Sequence, residues 1–220
     1  MIPYSTRGTT DAADEATKGQ IRQANEALIL AAAERVFAGA GFGGATMAAI
    51  AEASGLPKAN LHYYFGSKQE LYRTVLARTL KDWLLPTHAI TSQADPRAAI
   101  EGYIRDKMTL STQRRHASKV FANELLHGAP VVKGLLANEL RELVLAKAAV
   151  IDGWISAGRM APVDSVHLFF TIWAATQTYA DFDVQVCAVL GHPDLTAQDH
   201  ARATEHVVSL ILRGCGLGAG

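Results

Sequence analysis

The chain has 220 residues and a formal net charge of zero, with 49% hydrophobic and 19% charged residues. That composition excludes a disordered polyelectrolyte, and a chain of this size can bury a core without a disulfide or metal staple. The zero balance hides an asymmetry: residues 1–17 are net −2, residues 18–81 carry eight basic and four acidic side chains, and residues 82–220 are net −2. A modestly basic segment followed by a longer, slightly acidic one points to two units with different partners.

In chain order, residues 1–17 are polar, lack the apolar stretch of a secretion signal and suggest a disordered tail. The longest unbroken apolar run, Ala27–Ala33, is seven residues, far short of a membrane span, so a cytoplasmic protein with no membrane partner is expected. Ile29, Ala33, Val36 and Phe37 form one helical face, closed by Gly39 and Gly41. Thr46 is placed as the N-cap of a short helix to Ser54, Gly55 breaks it, and Pro57 suits the first turn of a second helix with Leu61 and Phe65 facing inward. Ser67 and Glu70 have capping-box spacing at the start of a helix running to about Leu85.

Beyond Pro86, Asp95-Pro96 opens a helix to about Ser111, another covers roughly Arg115–His127, and a long one starts at Pro130. In that long helix Leu136, Leu140, Leu143, Ala146, Val150 and Trp154 recur at three- or four-residue steps, and Gly158 and Pro162 end it. Asp164 caps a helix to about Leu190 that is apolar on more than one side, which suggests burial on both sides, either wrapped by its own domain or with one face against a partner chain, the partner being favoured. Thr196 and Asp199 cap a last helix ending before Gly214. Strand patterns are nearly absent, so the expected fold is all-α with about nine helices.

Gly39 to Gly44 satisfies G-x-G-x-x-G, yet a dinucleotide site needs a strand before the glycines, and here an alanine-rich helix precedes them. Cys187 and Cys215 and the eight scattered histidines have no metal-ligand spacing, and no nucleophile motif appears, so no metal, cofactor or catalytic residue is expected. Asp181 and Asp183 are too close in sequence to share one helix face.

The informative stretch is Thr46 to Phe65, TMAAIAEASGLPKANLHYYF: two short helices joined by a glycine turn, the spacing of a DNA-binding helix-turn-helix. With Leu61 and Phe65 inward, Lys58, Ala59, Asn60, His62 and Tyr63 are left on or near the surface, where a lysine, an amide and an aromatic hydroxyl suit phosphate and base-edge contacts. Tyr64, three residues after Leu61, can instead be an ordinary packing residue.

Residues 29–72 resemble the N-terminal DNA-binding domain of the tetracycline-repressor (TetR) family. The resemblance implies an all-α homodimer on a near-palindromic double-stranded operator, phosphate contacts at Thr46, Tyr63, Tyr64 and Lys68, and base contacts from Lys58 to His62. It divides the chain into a DNA-binding domain over 23–83, with its motif at about 45–64, and an effector-binding and dimerisation domain over 84–220. The segments DWLLP (82–86), GAP (128–130), GWISAG (153–158) and IWAATQTYADF (172–182) resemble the pyrimidine-utilisation branch of that family. This implies a uracil- or thymine-like effector held by Trp83, Trp173 and Gln177. Two flat aromatic walls and an amide that both donates and accepts suit a planar polar ring. Ala122, Asn123 and His127 depart from the branch's pattern, which leaves a different polar planar effector open, and Gln177 can instead serve a structural partner. The rival reading is a helical carrier or enzyme using the same Trp and Gln pocket without DNA binding.

Overall fold

The computed structural model of the protein describes the backbone of residues 8–218 and the side chains of residues 19–218. Residues 1–7 of the expected tail lie outside the described residues, and from Gly8 onward the backbone is already helical. Two compact units divide after Val75. The division expected from the family resemblance falls after residue 83, within the same helix.

The first unit is built on α1 (Gly8–Gly44), α2 (Met47–Ser54), α3 (Lys58–Phe65) and the start of α4 (Lys68–Leu84). Ile29, Leu30, Ala32, Ala33 and Phe37 of α1 are buried, together with Ile50 and Ala51 of α2 and Leu61 of α3. By length and hydropathy residues 19–44 could cross a membrane. Ile29, Leu30, Ala32, Ala33 and Phe37 of this stretch instead supply the core of this unit, at an exposure of 0% for Ile29, Ala32 and Ala33, while Ile21 and Leu28 are exposed. Gly41 interrupts α1 at φ 66°, ψ 174°, which a residue with a Cβ rarely adopts, so the glycine run turns the chain at the end of the helix. Phe42 then packs against Tyr72 (4.9 Å) and Tyr72 against Phe37 (5.0 Å). Thr46 caps α2 by accepting from the Ala49 N–H at 3.1 Å, and Gly55 ends it at φ 70°.

The second unit holds the rest of α4, a 3-10 turn (Leu85–Ala89), α5 (Pro96–Gln113), α6 (Arg115–Leu126), α7 (Lys133–Leu135), a π turn (Leu136–Leu140), α8 (Arg141–Ser156), α9 (Ser165–Asp181), α10 (Asp183–Leu190) and α11 (Ala197–Gly214). Its core joins Ile100, Tyr103 and Ile104 of α5 to Ile151 and Trp154 of α8, Phe169 and Ile172 of α9, and Val207, Val208 and Ile211 of α11. Asp95, Asp164 and Thr196 cap their helices through Ala98 N–H, His167 N–H and Asp199 N–H, as the sequence predicts. No strand occurs among the described residues.

Two long helices differ from expectation. The one placed from Pro130 begins at Lys133, because Ala129 sits at φ 56° and the buried Glu124 carboxylate accepts from the Val131 and Val132 N–H groups, holding 130–132 as a turn. The one placed from Asp164 to Leu190 breaks at Phe182 (φ −119°, ψ 32°). In one unbroken helix residues 181 and 183 would point about 200° apart. The break lets both meet α6: Ser118 donates to Asp181 and Lys119 to Asp183 at 2.7 Å.

Candidate functional site

Two separate sites emerge, one in each unit. The first is the outer face of α3. Leu61 is fully buried and pins the helix, so its neighbours turn outward: Lys58, Ala59, His62 and Tyr63 are exposed, and Asn60 is half-buried. Tyr63 is 76% exposed, a large aromatic area given to water where packing would normally claim it. Tyr64 is half-buried. Its hydroxyl accepts from Asn25 Nδ2 at 3.3 Å, and its ring meets Tyr63 edge-on at 5.1 Å. The His62 Nδ1 lies 2.9 Å from the Gly66 carbonyl oxygen. A carbonyl only accepts, so Nδ1 carries the proton and Nε2 of the neutral ring is left as an acceptor.

At the edges of this face stand Thr46 and Lys68. Thr46 is exposed, and its hydroxyl oxygen is engaged as the α2 cap. Lys68 donates to the Phe42 and Ala45 carbonyl oxygens at 2.8 and 2.9 Å and lies 4.5 Å from the centre of the Phe42 ring. Two of its three ammonium protons are thereby committed to the end of α1, and the group sits as a fixed positive charge beside the α2–α3 pair.

The second site is a cavity of about 200 Å³ in the second unit. It brings together Trp83 from α4 and Trp173 and Gln177 from α9, the three residues singled out in the sequence. The remaining lining is Leu80, Leu84, Leu125, Leu136, Leu140, Phe121 and Lys107. Gln177 follows Trp173 by one helical turn, so both face the same space. The Trp173 indole N–H donates to the Tyr103 hydroxyl at 2.7 Å, which fixes the ring and leaves it to act as a wall. Burial pushes the Tyr103 hydroxyl up to about 12, against the opposing effect of that bond. The Gln177 side chain has no hydrogen-bond partner among the described residues, so both ends of its amide remain available.

Lys107 and Phe121 are missed by the sequence reading. Phe121 meets Trp83 edge-on at 5.0 Å. Lys107 is 2% exposed, and its ammonium lies 4.3 Å from the centre of the Trp83 ring. Burial drives the Lys107 amine down to about 7, opposed by attraction to Asp181. Burial also raises the Asp181 carboxyl, against the Ser118 hydrogen bond and the charges of Lys107 and Lys119. A signal for Lys107 existed: it falls within the apolar stripe Ile100, Tyr103, Ile104, Met108, where a lysine needs a reason. The end of α4 that carries Trp83 is held by Arg114, which donates to Asp82 at 2.5 Å.

Among the described residues no group of three or more His, Cys, Asp or Glu side chains could hold a metal ion. Residues 29–75 match the family described as bacterial regulatory proteins, tetR family, and residues 76–218 match the C-terminal region of YcdC-like proteins. The HTH-type transcriptional regulator RutR of Escherichia coli is 42% identical over 194 residues, covering 87% of this chain and 90% of that protein, and the Shigella flexneri RutR matches equally. A bacterial regulatory protein of the tetR family from Rhodococcus superposes with a TM-score of 0.68 at 21% identity, covering 89% of this chain and 98% of that one. AibR, in complex with isovaleryl coenzyme A and operator DNA, gives 0.63 at 16% identity, covering 84% and 97%.

Proposed function

The chain belongs to the TetR family of bacterial transcriptional regulators, which are not enzymes, and from that premise we propose a homodimeric repressor released from its operator by a small planar heterocycle of uracil or thymine type. The observation that carries the effector reading is the convergence of Trp83, Trp173 and Gln177 on one cavity, from helices some ninety positions apart in sequence. At about 200 Å³ the cavity falls below the roughly 300–1,000 Å³ of pockets for drug-sized ligands, which suits a single small ring and leaves no room for a coenzyme A thioester. Aromatic walls cover the faces of the ring, and Gln177 and Lys107 meet its polar edge.

On the DNA side, Lys58, Ala59, Asn60 and His62 read base edges while Thr46, Tyr63, Tyr64 and Lys68 engage phosphates. A two-fold dimer sets the two α3 helices about one turn of DNA apart, roughly 34–36 Å, on a near-palindromic operator. Helix α4 supplies Lys68 at one end and Trp83 at the other, so an effector that moves its C-terminal end alters the presentation of α3. A coupling of roughly 1–3 kcal/mol would weaken operator binding about 5- to 150-fold.

The dimer reading is supported by apolar surface on α9 to α11. Phe182, Val184, Val189 and Leu210 are exposed at 54, 78, 81 and 61%, and an open groove of about 520 Å³ lies among Tyr179, Val186, Val189 and His206. Exposed apolar side chains of this size are what a subunit interface would cover. The Tyr63→Ala variant tests the DNA reading. With a duplex enriched by the wild-type protein from a random-sequence pool, it should lose about ten-fold or more in affinity at fixed salt while remaining a folded dimer. Unchanged affinity rejects α3 as the reading helix.

A further inference from the structure

The family match begins at residue 29, yet α1 extends well before it, and there Arg22 and Asn25 lie near the tyrosines of α3. Asn25 is half-buried and donates through Nδ2 to the Tyr64 hydroxyl at 3.3 Å. Because that oxygen accepts from Asn25, its own proton points elsewhere and stays available as a donor, and a phenol that accepts one hydrogen bond donates the next more strongly. Tyr64 in turn holds Tyr63 edge-on at 5.1 Å, so the amide on α1 fixes both tyrosines of the outer face. One turn earlier stands Arg22, close enough to Tyr63 and Tyr64 to interact with them electrostatically. Its Nε is anchored to Glu26 at 2.9 Å, the side chain is 63% exposed, and its terminal guanidinium nitrogens keep their donors.

We propose that the DNA-contacting surface continues onto α1 ahead of the shared family domain, with Asn25 as the positioning residue for Tyr64 and Arg22 as an added phosphate-facing charge. This rests on the reading of α3 as the DNA-contacting helix. A residue that acts through the Tyr64 hydroxyl has a signature that a purely structural residue lacks: its effect vanishes once that hydroxyl is gone.

The test uses the full-length protein and the duplex enriched by wild type from a random pool. Asn25→Ala should bind about 2- to 10-fold more weakly per protomer, the range of one net hydrogen bond, with an unchanged Tm. In a Tyr64→Phe background the same substitution should cost nothing further. Arg22→Gln should reduce the slope of log affinity against log salt by about one per protomer. Wild-type affinity for Asn25→Ala, or an equal loss in the Tyr64→Phe background, overturns the positioning role. An unchanged salt slope for Arg22→Gln overturns the phosphate contact. Failure of the underlying reading is separate, because it shows as undiminished binding by Tyr63→Ala.

Discussion

The Lys107 ammonium lies 4.3 Å from the centre of the Trp83 ring, inside the cavity that also holds Trp173 and Gln177. A cation over an indole face gains electrostatic attraction, worth up to about 2 kcal/mol when desolvated. Burial opposes it: the amine is held at about 7, so near neutral pH the charged and neutral forms coexist. A buried amine of that kind weakens the empty fold and strengthens a filled one, because a ligand oxygen gives it the partner it lacks.

The stability of the empty protein should therefore depend on pH with a definite sign. The folded amine titrates near 7, below the ordinary lysine value of 10.5, so between those values the unfolded chain binds the extra proton. Stability then rises with pH across that window, and the destabilisation is fully present below pH 7. The Cys215 thiol, pushed up to about 11 by burial, acts oppositely above pH 9. The clean comparison is thus between pH 7 and 8.5. Lys107→Met should melt higher than wild type at pH 7, and the difference should shrink steadily toward pH 8.5. A Tm difference independent of pH would show that Lys107 does not titrate in this range.

Gln177→Leu keeps the side chain's approximate shape and removes both hydrogen-bonding ends. Uracil and thymine binding by calorimetry should weaken by roughly 1–3 kcal/mol, about 5- to 150-fold, because the polar edge of the ring is left unpaired. Operator affinity of the ligand-free variant should match wild type. Equal ligand affinity in the variant would assign Gln177 to structure alone.

What the sequence made legible follows from how local each signal is. Caps act over three residues, so Thr46, Asp95, Asp164 and Thr196 could be placed from composition, and each accepts the N–H expected of it. The α3 surface was equally readable, because an eight-residue helix pinned by the fully buried Leu61 leaves few choices for its outer face. The break at Phe182 was not. It depends on Asp181 and Asp183 each finding a partner on α6, more than sixty positions away in sequence. Lys107 was overlooked for a related reason: its place in the α5 stripe shows that it points inward, while only the tertiary structure sets it over Trp83.

Assembly should follow from the exposed apolar residues of α10 and α11. Light scattering at micromolar concentration should give a dimer, with a largely apolar interface above about 2,000 Å² in total. Phe182→Asp, at a position 54% exposed in the single chain, should shift the protein to monomer or aggregate. A wild-type monomer at that concentration would remove the interface from the account.

Operator affinity measured by fluorescence anisotropy, with and without saturating uracil or thymine, joins the two sites in one experiment. Tight binding of the selected duplex by the ligand-free protein is expected, weakened about 5- to 150-fold when the cavity is filled and far less sensitive to ligand in Gln177→Leu. The same operator affinity in the presence and absence of ligand, under conditions where calorimetry shows the ligand bound, would contradict the account.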